Sequence, residues 1–256
     1  MQEEVLRADS VAMAFGDQQV LAGVDLKADE GQALALIGAN GSGKTTLMKI
    51  LAGLLSPDSG EITLLGHRLK ALSRREIARR VAVVPQSSPP VFAFTLLEFV
   101  LMGYHARSAH FVPSKAQVEG ARQALESLGL KELGNRSVAR LSGGELQRAL
   151  MARAIVASAP LWLLDEPTAS LDMRHQISLL TQMRHHVETG GTALAALHDL
   201  ALVHRFFDTV AVLYDAQIEV FGPPDEVLTP PIVSTIYGVE MQRGRVGDNI
   251  VWVAKR

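Results

Sequence analysis

The chain has 256 residues, 48% of them hydrophobic and 20% charged, with a formal net charge of −2 and no cysteine. That size and balance suit one large α/β domain, or a core with a small subdomain, around a sizeable apolar interior. Disulfides and thiolate metal sites are excluded, and no global positive field draws the chain to nucleic acid, so no nucleic-acid partner is expected.

The first residues, MQEEVLR, are acidic and lack the basic-then-apolar pattern of a signal peptide. Residues 34–37, LALI, form an apolar run that ends on a glycine-rich turn, which predicts a buried parallel strand. A helix is predicted over 45–55, stopped by the turn SPDSG. A strand over 61–65, a short helix over 74–80 and a strand over 81–84 follow. Such alternation implies a mainly parallel sheet. The most apolar window, 91–103, is shorter than the roughly 18 residues of a membrane span and carries Glu98. Across 89–158 the patterns are helical without a strand: Ala121, Leu125 and Leu128 share a face, and Gly129 suits the end of that helix. Strand signals return at 161–164, 193–197 and 210–214, so the sheet draws on both sides of a helical insert. The closing NIVWVAKR reads as a terminal strand, with no function assigned to anything after Gln242.

GANGSGKTT, residues 38–46, matches G-x-x-x-x-G-K-[ST] between a predicted strand and a predicted helix, the context that a phosphate-binding loop requires. Gly38, Asn40, Gly41, Ser42 and Gly43 let the backbone wrap a polyanion, while loop amides and the helix start present partial positive charge. Lys44 is expected to reach the β- and γ-phosphates of a nucleotide, Thr45 to offer its hydroxyl to Mg²⁺, and Thr46 to complete the loop. In LWLLDEP, an apolar strand ends in two carboxylates, where open α/β sheets place ligands. Asp165 is the candidate for Mg²⁺, directly or through a water, and Glu166 for polarising the water that attacks the γ-phosphate.

LSGGELQRALMARA begins a helix with a serine and two glycines. Ser142 and Glu145 fit a capping box, each side chain satisfying the other's backbone amide. A cap alone leaves Gly143 and Gly144 unexplained. Glycines there open the first amides to a bulky anion, and the anion already implied is a nucleoside triphosphate.

Phosphate loop, LSGGE, LLDEP, SLD and a later histidine stand in the order of an ABC transporter ATPase, and the chain resembles that family over nearly its whole length. The resemblance implies a P-loop NTPase core with a mainly parallel sheet, residues 1–88 and 159–256, an ABC-type helical subdomain, 89–158, and a β-rich N-terminal portion. It implies ATP and Mg²⁺ as ligands, held in a head-to-tail homodimer between one copy's phosphate loop and the other's LSGGE. By the same resemblance, Gln86 in VVPQ contacts Mg²⁺ or water and relays movement to a membrane partner. His198 contacts the γ-phosphate, and Asp172 of SLD crosses the dimer interface. Phe15 takes the place of the aromatic that stacks on adenine, where the family more often has tyrosine; a core role for Phe15 is the alternative.

The implied role is ATP hydrolysis coupled to transport, on the cytoplasmic face of the inner membrane, beside integral permease subunits and a periplasmic or lipid-anchored substrate-binding protein. A soluble ABC clamp of repair or translation and a phosphate-loop kinase are the competing readings; LSGG and the compact insert disfavour them. Residues 92–107 and 221–241 resemble importers of iron-siderophores, haem and vitamin B12. The first of these stretches is an amphipathic surface beside Gln86, suited to receive a membrane partner's coupling helix, with ordinary packing as its alternative.

Overall fold

The computed structural model describes residues 3–86, 94–108 and 112–255. Strands β1 (Glu4–Phe15) and β2 (Gln18–Asp29) form an antiparallel hairpin whose last register pair is Phe15 with Gln18. That pairing puts Phe15 at the hairpin tip, beyond the packed part of the ribbon. β3 (Ala33–Ile37) follows, buried along its whole length, then helix α1 (Lys44–Leu51). The helix predicted to reach residue 55 stops at Leu51, because Gly53 turns to φ +67° and the amides of Leu54 and Leu55 fold back on the Lys49 carbonyl.

β4 (Ser59–Leu64) and β5 (His67–Arg68) come next. The strand expected over 61–65 exists, but it pairs antiparallel with β1 rather than joining the parallel sheet. The sheet order β2-β1-β4-β5 is the β-rich N-terminal portion. Helix α2 (Arg74–Arg80) runs directly into β6 (Val81–Val84), both as predicted.

Between β6 and β7 the described residues hold three α-helices, α3 (Leu96–Leu101), α4 (Lys115–Ser127) and α5 (Gly143–Ala157), and no strand beyond a lone Thr95–Ser137 bridge. Gly129 follows the Leu128 cap of α4. Its amide bonds the Glu126 carbonyl and that of Leu130 the Leu125 carbonyl, the paired bonds of a Schellman stop. Leu96, Val100, Ala121 and Leu125 join one apolar cluster with Trp162 and Leu164 of the main sheet, so the helices share its core.

β7 (Leu161–Asp165), α6 (Met173–Glu188), β8 (Thr192–Ala196), α7 (Leu200–Phe206), β9 (Thr209–Tyr214) and β10 (Gln217–Gly222) complete the central layer. Its order is β10-β9-β3-β8-β7-β6, parallel throughout except for β10. Alternation divides the strands between two cores. Ala33, Ala35 and Ile37 face the helical side, while Leu34 and Leu36 face α1 and the N-terminal sheet. After the short α8 (Pro224–Val227) and α9 (Pro230–Tyr237), β11 (Met241–Val246) pairs with β12 (Asn249–Ala254), which contains the expected terminal strand. No described helix is long and apolar enough to cross a membrane.

Candidate functional site

Strand order gathers the site. β3, β8, β7 and β6 lie side by side and parallel, about 4.8 Å apart. Their carboxyl ends carry, in that order, the glycine-rich loop, His198, the Asp165–Glu166 pair and Gln86. Segments up to 160 residues apart in sequence thus meet along one edge of the sheet. A cavity of about 880 Å³ opens there, lined by residues 39–41 and 43–46 of the loop with Phe15, Gln86, Glu166, His198 and Tyr237.

The loop's shape follows from its glycines. Gly43 precedes α1 at φ +103°, a conformation costly for any other residue, and a Cβ there would stand 2.9 Å from the Val20 carbonyl oxygen. A Cβ on Gly38 would run into the Leu213 carbonyl oxygen. No side chain caps α1, so its first amides keep their capacity for an anion. Lys44 Nζ donates to the Gly38 and Ala39 carbonyls at 2.8 and 2.9 Å, closing the loop on itself. Burial lowers the Lys44 pKa, and the carboxylates of Glu166 and Asp165 oppose that shift. Gly38 and Ser42 sit beneath the loop rather than on the cavity wall.

Asp165 is the last residue of β7 and is buried. Burial raises its pKa, against a hydrogen bond from the Thr45 side chain. Its Oδ1 has no hydrogen-bond partner. Glu166 leaves the strand at φ +48°, unusual for a residue with a side chain and costing on the order of 1–3 kcal/mol. Three bonds hold it there. Its amide donates to the Ala196 carbonyl at 3.1 Å, Gln86 Nε2 donates to its Oε2 at 2.6 Å, and His198 Nε2 lies 2.6 Å from its Oε1. The kink turns Glu166 into the cavity while Asp165 stays beneath it.

An Mg²⁺ ion fits this donor set: Asp165 supplies an orphaned buried oxygen, with the Thr45 hydroxyl and Gln86 amide at hand. Among the described residues there is no group of three or more histidine or carboxylate side chains that could hold a metal by themselves.

Phe15 lines the cavity with 53% of its surface exposed, which overturns the core alternative. The LSGGE segment and Asp172 do not line it. The capping box is present: Ser142 N donates to Glu145 Oε2 at 2.7 Å, and Glu145 N to Ser142 Oγ at 3.3 Å. That backbone bond, with Arg136 3.6 Å away, holds the Glu145 carboxyl below its usual range. Gly144 gains a second explanation, since a Cβ there would lie 2.9 Å from the Ser170 carbonyl oxygen of the same chain. Ser142 and Gly143 are exposed. Asp172 caps α6, accepting from His175 N at 2.9 Å and pairing with its ring at 2.8 Å. Sequence reasoning missed Tyr237 as a wall of the cavity; its only signal was membership of the 221–241 stretch.

In the 92–107 stretch, residues 92 and 93 lie outside the described residues. Leu96 and Val100 are core, and Phe99 packs under Arg153, whose guanidinium carbon is 4.7 Å from the ring centre. The stretch is tied to α2 by Arg75 and Arg79, which donate to the Ala106 carbonyl at 3.2 and 2.7 Å. Part of the expected amphipathic surface is therefore ordinary packing.

Residues 21–169 match the ABC transporter family. The chain is 39% identical over 241 residues to the hemin import ATP-binding protein of Thermobifida fusca, covering 93% of this chain and 84% of that one. It is 36% identical over 227 residues to the cobalamin import ATP-binding protein of Halobacterium salinarum, covering 88% of this chain and 57% of that one. Among solved structures, a metal-chelate type ABC transporter in an inward-facing conformation superposes with a TM-score of 0.83 at 26% identity, over 99% of this chain and 98% of that one.

Proposed function

The chain belongs to the ABC transporter family and is an ATPase, and on that premise we propose that it powers an importer of a metal-chelate cargo: haem, an iron-siderophore or cobalamin. The relatives named for hemin and cobalamin import support the cargo class. The chain works as a peripheral subunit on the cytoplasmic face of the membrane, beside integral permease subunits and an external substrate-binding protein. The exposed part of residues 94–107, tied to α2 through the Ala106 carbonyl, is the surface that receives the permease.

The observation that carries the hydrolytic reading is the single carboxylate of Glu166 gripped by Gln86 and His198 at the mouth of the phosphate loop. In hydrolysis, Lys44 exchanges its two loop carbonyls for β- and γ-phosphate oxygens, and Phe15 stacks on the adenine. Glu166 gives up one of its two partners and orients the attacking water, and His198 turns its Nε2 toward the γ-phosphate. Mg²⁺ held at Thr45, Asp165 and Gln86 would neutralise charge on the phosphate oxygens. Closing the site needs the LSGGE amides. Because Ser142 and Gly143 are exposed and off this chain's own cavity, they serve the loop of a second copy, with Asp172 at the junction.

Trans complementation tests the pairing. Lys44→Ala and Ser142→Phe should each abolish turnover alone. A mixture of the two should regain part of it, since a mixed pair contains one site with both elements intact. No recovery on mixing, with turnover per molecule unchanged on dilution, excludes the two-copy site. Copurification with an integral membrane protein tests the transporter assignment separately.

A further inference from the structure

The loop that carries His198, residues 197–199 between β8 and α7, has no regular structure, yet its ring must sit against Glu166. Three anchors fix its backbone and ends. Leu197 N donates to the Leu36 carbonyl at 3.2 Å, and Asp199 caps α7 through the amides of Ala201 and Leu202. The third comes from far along the chain: the Tyr237 hydroxyl donates to the His198 carbonyl at 3.3 Å. Tyr237 and His198 together form the wall between the nucleotide cavity and a smaller one of about 260 Å³ lined by Asp199, Met241 and Trp252.

Tyr237 is itself well anchored. It is the last residue of α9, whose Val233 and Ile236 are buried, and Gly238 ends the helix at φ +66°. Ser234 Oγ accepts from Met241 N at 2.8 Å, tying α9 to the β11–β12 hairpin. Trp252 of that hairpin packs on His204 of α7, ring centres 6.3 Å apart, so α9 and α7 are joined through a common support. Burial pushes the Tyr237 phenol up to about 12, so it stays a donor across the working pH range.

We propose that Tyr237 is a positioning residue for ATP hydrolysis: by holding the His198 carbonyl it fixes the backbone from which the His198 ring reaches from Glu166 to the γ-phosphate. The α9–hairpin unit then acts as a brace behind the catalytic edge of the sheet. The inference rests on His198 having the role given under the proposed function. It differs from a nucleotide contact, which would act on binding, and from simple packing, which would act on stability.

The test is a double-mutant cycle on steady-state ATP hydrolysis by the full chain. Tyr237→Phe keeps the ring and removes the hydroxyl. The expected result is a kcat lowered about fivefold, with KM for MgATP changed less than about twofold and the melting temperature nearly unchanged. In a His198→Ala background the same substitution should cost less than about 1.5-fold, because the group it positions is gone. Equal losses in both backgrounds, a raised KM with kcat intact, or full activity of Tyr237→Phe beside an impaired His198→Ala overturns the inference alone. Full activity of His198→Ala overturns the role of His198 and this inference with it.

Discussion

His198 Nε2 stands 2.6 Å from Glu166 Oε1, while Gln86 Nε2 stands 2.6 Å from Oε2 of the same carboxylate. Each oxygen therefore has one partner from a different strand end and keeps a lone pair with which to accept from a water.

Glu166→Gln should retain MgATP binding and lose hydrolysis by about 10²–10⁴-fold, the usual contribution of a general base. The substitution keeps the side chain's size and its hydrogen-bonding capacity while removing its basicity. Phosphate release and equilibrium nucleotide binding, measured on the same preparation, check it; a normal hydrolytic rate reassigns the base.

Phe15→Ala should weaken nucleotide binding about three- to tenfold, the range expected when one aromatic stack is lost. Phe15→Tyr should bind normally. With 53% of its surface exposed at the hairpin tip, Phe15 contributes little to folding, so the melting temperature should hardly move. Titration with a fluorescent ATP analogue separates the variants. Equal affinity for all three removes Phe15 from the site.

Ser142→Ala removes the acceptor that caps α5 and should cost about 1 kcal/mol, seen as a fall in melting temperature of about 2–4 °C. Gly144→Ala should cost more, because its Cβ would stand 2.9 Å from the Ser170 backbone oxygen and neither backbone yields cheaply. The order of the two melting temperatures is the readout. If Gly144→Ala is the milder, the close approach to Ser170 is unimportant.

His186 and His204 should make the fold acid-sensitive. Burial lowers both pKa values, so the folded chain resists protonation that the unfolded chain accepts below the ordinary imidazole value of about 6.5. A lowered base binds fewer protons folded than unfolded. Its stabilising contribution is complete above about 6.5 and is lost as pH falls toward the folded value. His186 stacks on Trp162 with ring centres 4.0 Å apart, an arrangement His186→Phe should keep without the titration. Thermal melts at about pH 7.5 and about pH 5.5 should show a smaller drop for His186→Phe than for the wild type. An equal drop excludes His186 as a source.

Much of this site was legible because its pieces are local. The phosphate loop, the LSGGE capping box and the carboxylates of β7 each lie within a few residues, and backbone geometry makes such short patterns readable. The strands over 34–37, 161–164 and 210–214 were legible too, since strands covered on both faces are continuous apolar runs. The strand at 61–65 was visible but its partner was not: an antiparallel place beside β1 depends on a chain segment about 50 residues earlier.

The sequence by itself determined the phosphate loop, the carboxylate pair and the capped glycine start of α5, because those motifs are short and local. The roles of Gln86, Asp172 and His198 came only through the family resemblance. Only the tertiary structure decided that β3, β8, β7 and β6 are neighbours, that Gln86 and His198 share one carboxylate, and that Tyr237 stands behind them. Strand order and long-range hydrogen bonds come from how the whole chain fills its two cores, and no local window contains that information.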